Sequence, residues 1–326
     1  MVRMIQSHQF NGRKSTLFLL TLVVTAIITT SCAGAEERSA DATPTIVVTT
    51  SIWADVVRSI VADDADVEVL VPIGVDPHDY SASASQVASL QQADLVVANG
   101  LGLEEGLVDV LESAAADGAT VLTIADKVDP IPFGEAGAEH ESEVDSHEHE
   151  SELDPHVWFD PERVAQGALL IAEALAAVND SVDWGARAEA YGKELLAIDG
   201  RVAEELAKVA PGSRTLVTNH DSLGYLADRY GYEVVGTVIP GGATLSSPSS
   251  ADLASLIANI EEENVRAIFA ESTEPALLAD AVASEVGHHV EVVELFTGSL
   301  GEEGTGADTL LGLLIVDAER IAAALS

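Results

Sequence analysis

The sequence predicts an α/β fold: two lobes, each with a four-stranded, mainly parallel sheet flanked by helices, joined by one long rigid helix. Three observations predict it. Short β-branched runs alternate with segments whose apolar residues recur at helical spacing. The alternation breaks once, at two consecutive helical patterns with no strand between them. Four strands precede the break and four follow it.

The N-terminus reads as an address. Arg3, Arg13 and Lys14 precede an apolar run from Leu17 to Ile28, and Thr29-Thr30-Ser31-Cys32 follows it, the parts of an export signal over residues 1–31. The run is short for a bilayer, which takes about 20 apolar residues. Cys32 is the only cysteine, so neither an internal disulfide nor a cysteine-rich zinc site can form. Its position resembles a bacterial lipobox, which would make Cys32 the lipidated end of the mature chain; the plainer alternative is a secretory signal with an incidental cysteine. Residues 32–44 are small and polar, as in a tether. Across 326 residues, 15 Lys and Arg face 55 Asp and Glu, a net charge of −40. That balance argues against nucleic acid or an anionic membrane as ligand. It suits a cationic ligand, and equally a solvated acidic surface.

A first lobe is expected over residues 45–182. Ile46–Thr50, Val67–Val71, Asp94–Ala98 and Thr120–Ile124 read as strands, with helices over Ile52–Ala62, Gln86–Gln92 and Glu104–Ala115. Helical crossovers make a parallel sheet the natural product. Residues 129–155 then break the pattern with prolines, glycines and acids. Within them, 134–153 form an acidic loop bearing His140, His147 and His149, which cannot bury a core. Glu162–Val178 and Trp184–Val209 are helical, the second closed by Pro211-Gly212 and placed in a linker over residues 183–210. A second lobe over residues 211–326 resumes the rhythm. Its strands are Arg214–Thr218, Glu233–Val238, Val265–Ala270 and Val290–Leu295; its helices are Ser222–Tyr230, Ser249–Glu263, Pro275–Val286 and Thr305–Ala324.

Ligands of open α/β sheets bind where loops leave the carboxyl ends of strands. His78 follows the second strand in Asp76-Pro77-His78-Asp79-Tyr80, and His220 follows the fifth in Asn219-His220-Asp221. His156 precedes a helix in Asp154-Pro155-His156-Val157-Trp158-Phe159-Asp160-Pro161. The prolines stiffen two of these loops. Each histidine alone reads as readily as a surface or structural residue; together they are candidate metal ligands. His288 and His289 lie at the opposite strand ends and should be exposed. Asp76, Asp160, Asp221 and Glu271 are candidates to orient the imidazoles, although Asp76 and Asp160 read equally as turn formers and caps.

These motifs, with Asn99-Gly100-Leu101-Gly102-Leu103-Glu104, Ile268-Phe269-Ala270-Glu271 and Gly298-Ser299-Leu300-Gly301, resemble the zinc and manganese substrate-binding proteins of ABC transporters, the ZnuA/TroA-like group (solute-binding protein family 9). The likeness runs in order from about Thr45 to the C-terminus. It implies a metal held between two lobes by His78, His156 and His220, and an acidic loop similar to that of zinc-type members. It also implies docking on an ABC permease, with the chain monomeric and held at the membrane by its lipid anchor. Many members add an Asp ligand where this chain has Gly298. The fourth position is then a water, Glu271, or another carboxylate such as Asp308 or one from the acidic loop. Zinc accepts three protein ligands and a water, whereas manganese prefers more oxygen ligands, so zinc is expected over manganese. The rival from another class is an exported zinc hydrolase, because three histidines with an open position also hold catalytic zinc. The chain has no His-Glu-x-x-His or Gly-x-Ser-x-Gly motif, and Glu271 is its one obvious general base. Sites for iron chelates or cobalamin would need aromatic and arginine side chains, which are scarce here.

Overall fold

The computed structural model describes residues 43–134 and 153–326. The export signal, Cys32, most of the tether and most of the acidic loop lie outside the described residues.

The eight strands fall where β-branched runs lie. The first sheet contains β1 (Thr45–Val48), β2 (Asp66–Val69), β3 (Leu95–Ala98) and β4 (Val121–Thr123), in the order β2-β1-β3-β4. The second contains β5 (Thr215–Thr218), β6 (Glu233–Thr237), β7 (Ala267–Glu271) and β8 (Glu291–Leu295), in the order β6-β5-β7-β8. Every pairing is parallel. The inner strands β3 and β7 are buried throughout, and the edge strands carry exposed or half-buried positions. This is why the inner strands read as continuous apolar runs.

Helices cover both sheets. In the first half, α1 (Ser51–Val61) is capped by Thr50, which accepts the Trp53 N–H, and buries Ile52, Trp53, Val56, Val57, Ile60 and Val61 on one face. The capping box of Ser83 and Gln86 starts α2 (Ala84–Gln92). The helix expected over Glu104–Ala115 is instead a short 3₁₀ turn over Glu105–Leu107 followed by α3 (Val108–Ala116). The cause is Glu104: its buried carboxylate accepts the backbone N–H groups of Asn99 and Gly100, so it stays behind in the preceding loop. Two further helices, α4 (Pro161–Val178) and α5 (Trp184–Leu206), lie between the sheets in sequence and pack on each other. The 23 residues of α5 span about 35 Å. In the second half stand α6 (Gly224–Tyr230), α7 (Ser250–Glu262), α8 (Leu277–Glu285) and α9 (Leu310–Leu325). The last begins later than the expected Thr305, because Gly304 and Gly306 adopt positive φ and Thr309 is the residue that caps it.

The largest core runs on between the two halves, from Ile46 and Trp53 through Leu195 and Phe269 to Leu325. In it, α9 packs on α5, and α5 on α1. Among the described residues no helix is long and apolar enough to cross a membrane.

One buried acid makes this core sensitive to pH. Asp317 in α9 accepts the Phe296 N–H at 3.1 Å through one oxygen, and its other oxygen is buried without a partner. Burial pushes its carboxyl up to about 7, against the Phe296 bond and nearby Arg320. The folded state therefore binds a proton that the unfolded state has released above its ordinary carboxylate value. The stability tied to this proton is present at low pH and is lost as pH rises from about 4 to 7. Asp317→Asn should remove that loss. Urea unfolding should find the variant close to wild type at pH 4 and more stable by about 2–4 kcal/mol at pH 8.

Candidate metal centre

Each histidine stands on a loop whose ends are fastened. The loop carrying His78 leaves β2 and returns at α2. It is closed by Gln86, whose amide donates to the Leu70 carbonyl at 2.8 Å and meets the Tyr80 hydroxyl at 2.7 Å. Within the loop, Asp76 Oδ1 accepts the His78 N–H at 2.9 Å, a local turn that the adjoining Pro77 stiffens. Its other oxygen accepts the hydroxyl of Thr244, which follows β6, so Asp76 ties the His78 loop to the second half.

His156 is built on the same Asp-Pro-His pattern, with Asp154 Oδ1 accepting the His156 N–H at 2.9 Å. This loop rests on the loop after β3. There Gly100, Leu101 and Gly102 all take positive φ, and Glu104 gathers the Asn99 and Gly100 N–H groups and the Thr49 hydroxyl. Asn99, so fixed, donates to the Pro155 carbonyl at 3.0 Å and accepts from the Trp53 indole at 2.7 Å. From the second half, Tyr225 donates its hydroxyl to the Asp154 carbonyl at 2.7 Å. Gly224 leaves room for that carboxylate, since a Cβ there would stand 2.7 Å from Asp154 Oδ2.

His220 follows β5, and Glu271 ends the neighbouring strand β7. The pair thus sits at the switch point of the second sheet, where loops from adjacent strands diverge.

The three rings converge. Their centroids lie 5.5 Å (His78–His156), 5.2 Å (His78–His220) and 4.9 Å (His156–His220) apart, and one nitrogen from each lies within 4.8 Å of the others. All three side chains are sealed from solvent, His78 at 3% exposure and the others at 1%. Nδ1 of His156 donates to Asp154 Oδ1 at 2.7 Å, and Nδ1 of His220 donates to Glu271 Oε1. These bonds fix each tautomer and turn Nε2 inward. The two Nε2 atoms consequently face each other at 3.0 Å, while Nδ1 of His78 is buried without a partner. Facing nitrogens at this distance share a cation: a proton carried by His220 does so at low pH, and a metal ion would take its place, with one nitrogen of His78 in reach of it. Tetrahedral zinc at its usual Zn–N length sets ligand nitrogens about 3.3 Å apart.

The electrostatics agree with a cation-binding cluster. Burial, with His156 and His220 nearby, pushes His78 down to about 3. Burial, then His220, carries His156 well below the ordinary imidazole range. Both are neutral, as ligation requires. Burial opposes charge on His220 too, but the Glu271 carboxylate, with Asp76 and Asp154, outweighs it and raises this imidazole. Burial likewise works against the Glu271 charge, and His220 overcomes it and lowers the carboxyl. Burial raises Asp154 to about 7.

The sequence candidates separate here. Glu271 is engaged with the outward nitrogen of His220. Asp76 forms the turn before His78. Asp160 caps α4 and pairs with Arg163 and Arg229. Asp221 is buried and raised to about 6, and among the described residues no hydrogen bond joins it to an imidazole. Asp308 is exposed and lies near Asp55, and it is not among the groups gathered at the histidines. Gly298 lies against the His78 loop, where a Cβ would approach Pro77 Cδ to 3.3 Å. His289 is exposed as expected, while His288 is partly buried with Nε2 2.9 Å from the Val265 carbonyl. Two contributors escaped the sequence reading, Asp154 and Asn99. The repeated Asp-Pro-His spacing was the signal available for the first.

Two parallel sheets whose connecting loops enclose a sealed cluster of nitrogens able to ligate a metal match the plan of a solute-binding protein. Residues 46–324 match the family described as zinc-uptake complex component A, periplasmic, and the chain belongs to that family, which is one of ABC-transporter binding proteins and not of enzymes. It is 33% identical over 304 residues to the zinc-binding protein TroA of Treponema pallidum (strain Nichols), covering 91% of this chain and 94% of that one. It is 27% identical over 319 residues to the manganese-binding lipoprotein MntA of Halalkalibacterium halodurans, covering 96% and 99%. The solved structure of the periplasmic zinc-binding protein TroA from Treponema pallidum is similar with a TM-score of 0.77 at 32% identity, covering 87% of this chain and 100% of that one. The Mn-bound periplasmic metal-binding protein from Candidatus Liberibacter asiaticus is similar with a TM-score of 0.73 at 26% identity, with coverage of 87% and 100%.

Proposed function

We propose that this chain captures one transition metal ion outside the cytoplasm, zinc in preference to manganese, through His78, His156 and His220, and hands it to an ABC import permease. The observation that carries the reading is the pair of inward Nε2 atoms 3.0 Å apart, in a cluster where one nitrogen from each of the three rings lies within 4.8 Å of the others. Relatives named for zinc and for manganese leave the choice of ion to the donor set. Here that set is nitrogen alone. Asp154 and Glu271 are spent on the outward sides of the imidazoles, and Gly298 has no side chain to offer. Three imidazoles and a water suit zinc better than manganese, which favours oxygen. The buried Glu271 carboxylate behind His220 supplies negative charge that a direct carboxylate ligand would otherwise bring.

The same arrangement favours capture over hydrolysis. The one candidate base, Glu271, is held by His220 and faces away from the shared nitrogens. The chain acts as a monomer anchored through a lipidated Cys32, in keeping with the MntA and AdcA relatives named as lipoproteins.

Elemental analysis of the purified mature protein, paired with zinc and manganese titrations, tests the reading. The expected result is one tightly bound zinc per chain. Stoichiometric, tight manganese with negligible zinc would overturn the choice of ion and leave the transport reading standing.

A further inference from the structure

Resting on the metal-capture reading, we infer that Phe133 is the gate through which the ion reaches and leaves the three histidines. The histidines are sealed by contacts that cross from the first half of the chain to the second. One is the Asp76–Thr244 hydrogen bond, and another is Pro77 against Gly298. Both belong to the loop that carries His78, so neither can open without displacing a ligand.

A further crossing is apolar: it lies in the segment that leads to His156, but the ring that makes it forms no hydrogen bond to an imidazole. The Phe133 ring lies on the backbone of Gly242 so closely that a Cβ there would stand 1.9 Å from Cζ and 2.4 and 2.6 Å from the two Cε atoms. The same ring packs edge-on to His156, with centroids 6.5 Å apart. Beside it lies a cleft of about 210 Å³ lined by His78, Leu101, Glu105, Phe133, Pro155 and Gly242, so that the ring stands where this cleft meets His156. This cleft is a solvent-side approach to a buried ligand, and Phe133 stands in its wall.

The backbone beneath the ring is held fast. Pro132 bridges Leu153, the Ile131 carbonyl accepts the Asp154 N–H at 2.8 Å, and the Ile131 N–H donates to the Tyr225 hydroxyl at 3.2 Å. Opposite, the Gly241 carbonyl accepts the Asp221 N–H at 3.2 Å. The movable part is therefore the half-buried phenyl ring. It can swing out without breaking a hydrogen bond, a far faster motion than parting the two halves.

Rapid-mixing kinetics separate a gate from a clamp. Zinc uptake would be followed by intrinsic fluorescence, and release by transfer to an excess of a chromogenic chelator. A gate raises the barrier in both directions equally. Phe133→Ala should therefore speed uptake and release each by about tenfold or more, with the equilibrium constant held within about threefold. Phe133→Leu should fall between. Gly242→Ala should act like Phe133→Ala, because its methyl group and the ring cannot share the space. The double variant should be no faster than either single one, since both remove the same closure. Unchanged rates, or faster release alone with binding weakened by the same factor, would overturn the proposal; the second result would make Phe133 a clamp. Equilibrium zinc binding by the wild type is measured first. Its absence would remove the metal reading and the gate together, whereas binding with insensitive kinetics removes the gate alone.

Discussion

Replacing His156 with alanine is expected to weaken zinc binding by about two to three orders of magnitude, the share of one ligand in a four-coordinate zinc site. The His156 ring lies 5.5 Å from His78 and 4.9 Å from His220, and its Nε2 opposes that of His220. Without it, two nitrogens remain in a pocket that solvent scarcely reaches. Competition titration against a chelator of known affinity measures the loss, and a change below about tenfold would remove His156 from the ligand set. Collapse of the fold would not explain the result. The substitution leaves the Asp154 carboxylate without its imidazole, but burial already raises that carboxyl to about 7, so it takes up a proton rather than staying charged. The Asp154 main chain keeps its bonds to Ile131 and Tyr225. Thermal melting of the metal-free variant should accordingly stay within a few degrees of wild type.

How far the sequence could be read depends on whether a feature is local. The strands β1, β3 and β7 were legible because buried parallel strands must be apolar throughout, and Ile46–Val48, Leu95–Ala98 and Ala267–Ala270 show it directly. The order of strands in each sheet was not legible: periodicity says which residues face a core, and nothing about which strand lies beside which. The same boundary runs through the site. His78 and His156 announce themselves by an Asp-Pro-His turn, which is local chemistry. Both aspartates make the same bond to the backbone two residues on. Only Asp154 also holds the ring. That difference is set by partners far along the chain, Thr244 taking the free oxygen of Asp76 while Gly224 and Tyr225 pack around Asp154. Glu271 was visible as a carboxylate at a strand end. Whether it would serve as a ligand or stand behind one was decided by β7 lying next to β5, which places it on the outward nitrogen of His220. The start of α9 was missed for a local reason: the glycines at 304 and 306 interrupt a helical apolar pattern that by itself extends further upstream.

Glu271→Gln is expected to lower zinc affinity by about 10- to 100-fold at pH 8, and by much less at pH 5. Both effects come from one hydrogen bond. The Glu271 carboxylate, by accepting from Nδ1 of His220, makes the opposite nitrogen more basic toward any cation that approaches it. For a metal ion that means tighter binding. For a proton it means an imidazole raised above its ordinary value, as found for His220. Below that raised value a proton occupies the nitrogen the metal needs, so the affinity of the wild type climbs as pH rises through this window and levels off above it. His78 and His156 add little to the slope, because both are held neutral well below it. Glutamine keeps an acceptor for Nδ1 but removes the charge. Nε2 of His220 then binds metal less tightly and also releases its proton at lower pH, so the affinity of the variant levels off earlier and the two curves draw together in acid. Zinc titrations of both proteins from pH 5 to 8 measure the gap. A deficit of the same size at every pH would mean that Glu271 acts on the fold of the site and not on the basicity of His220.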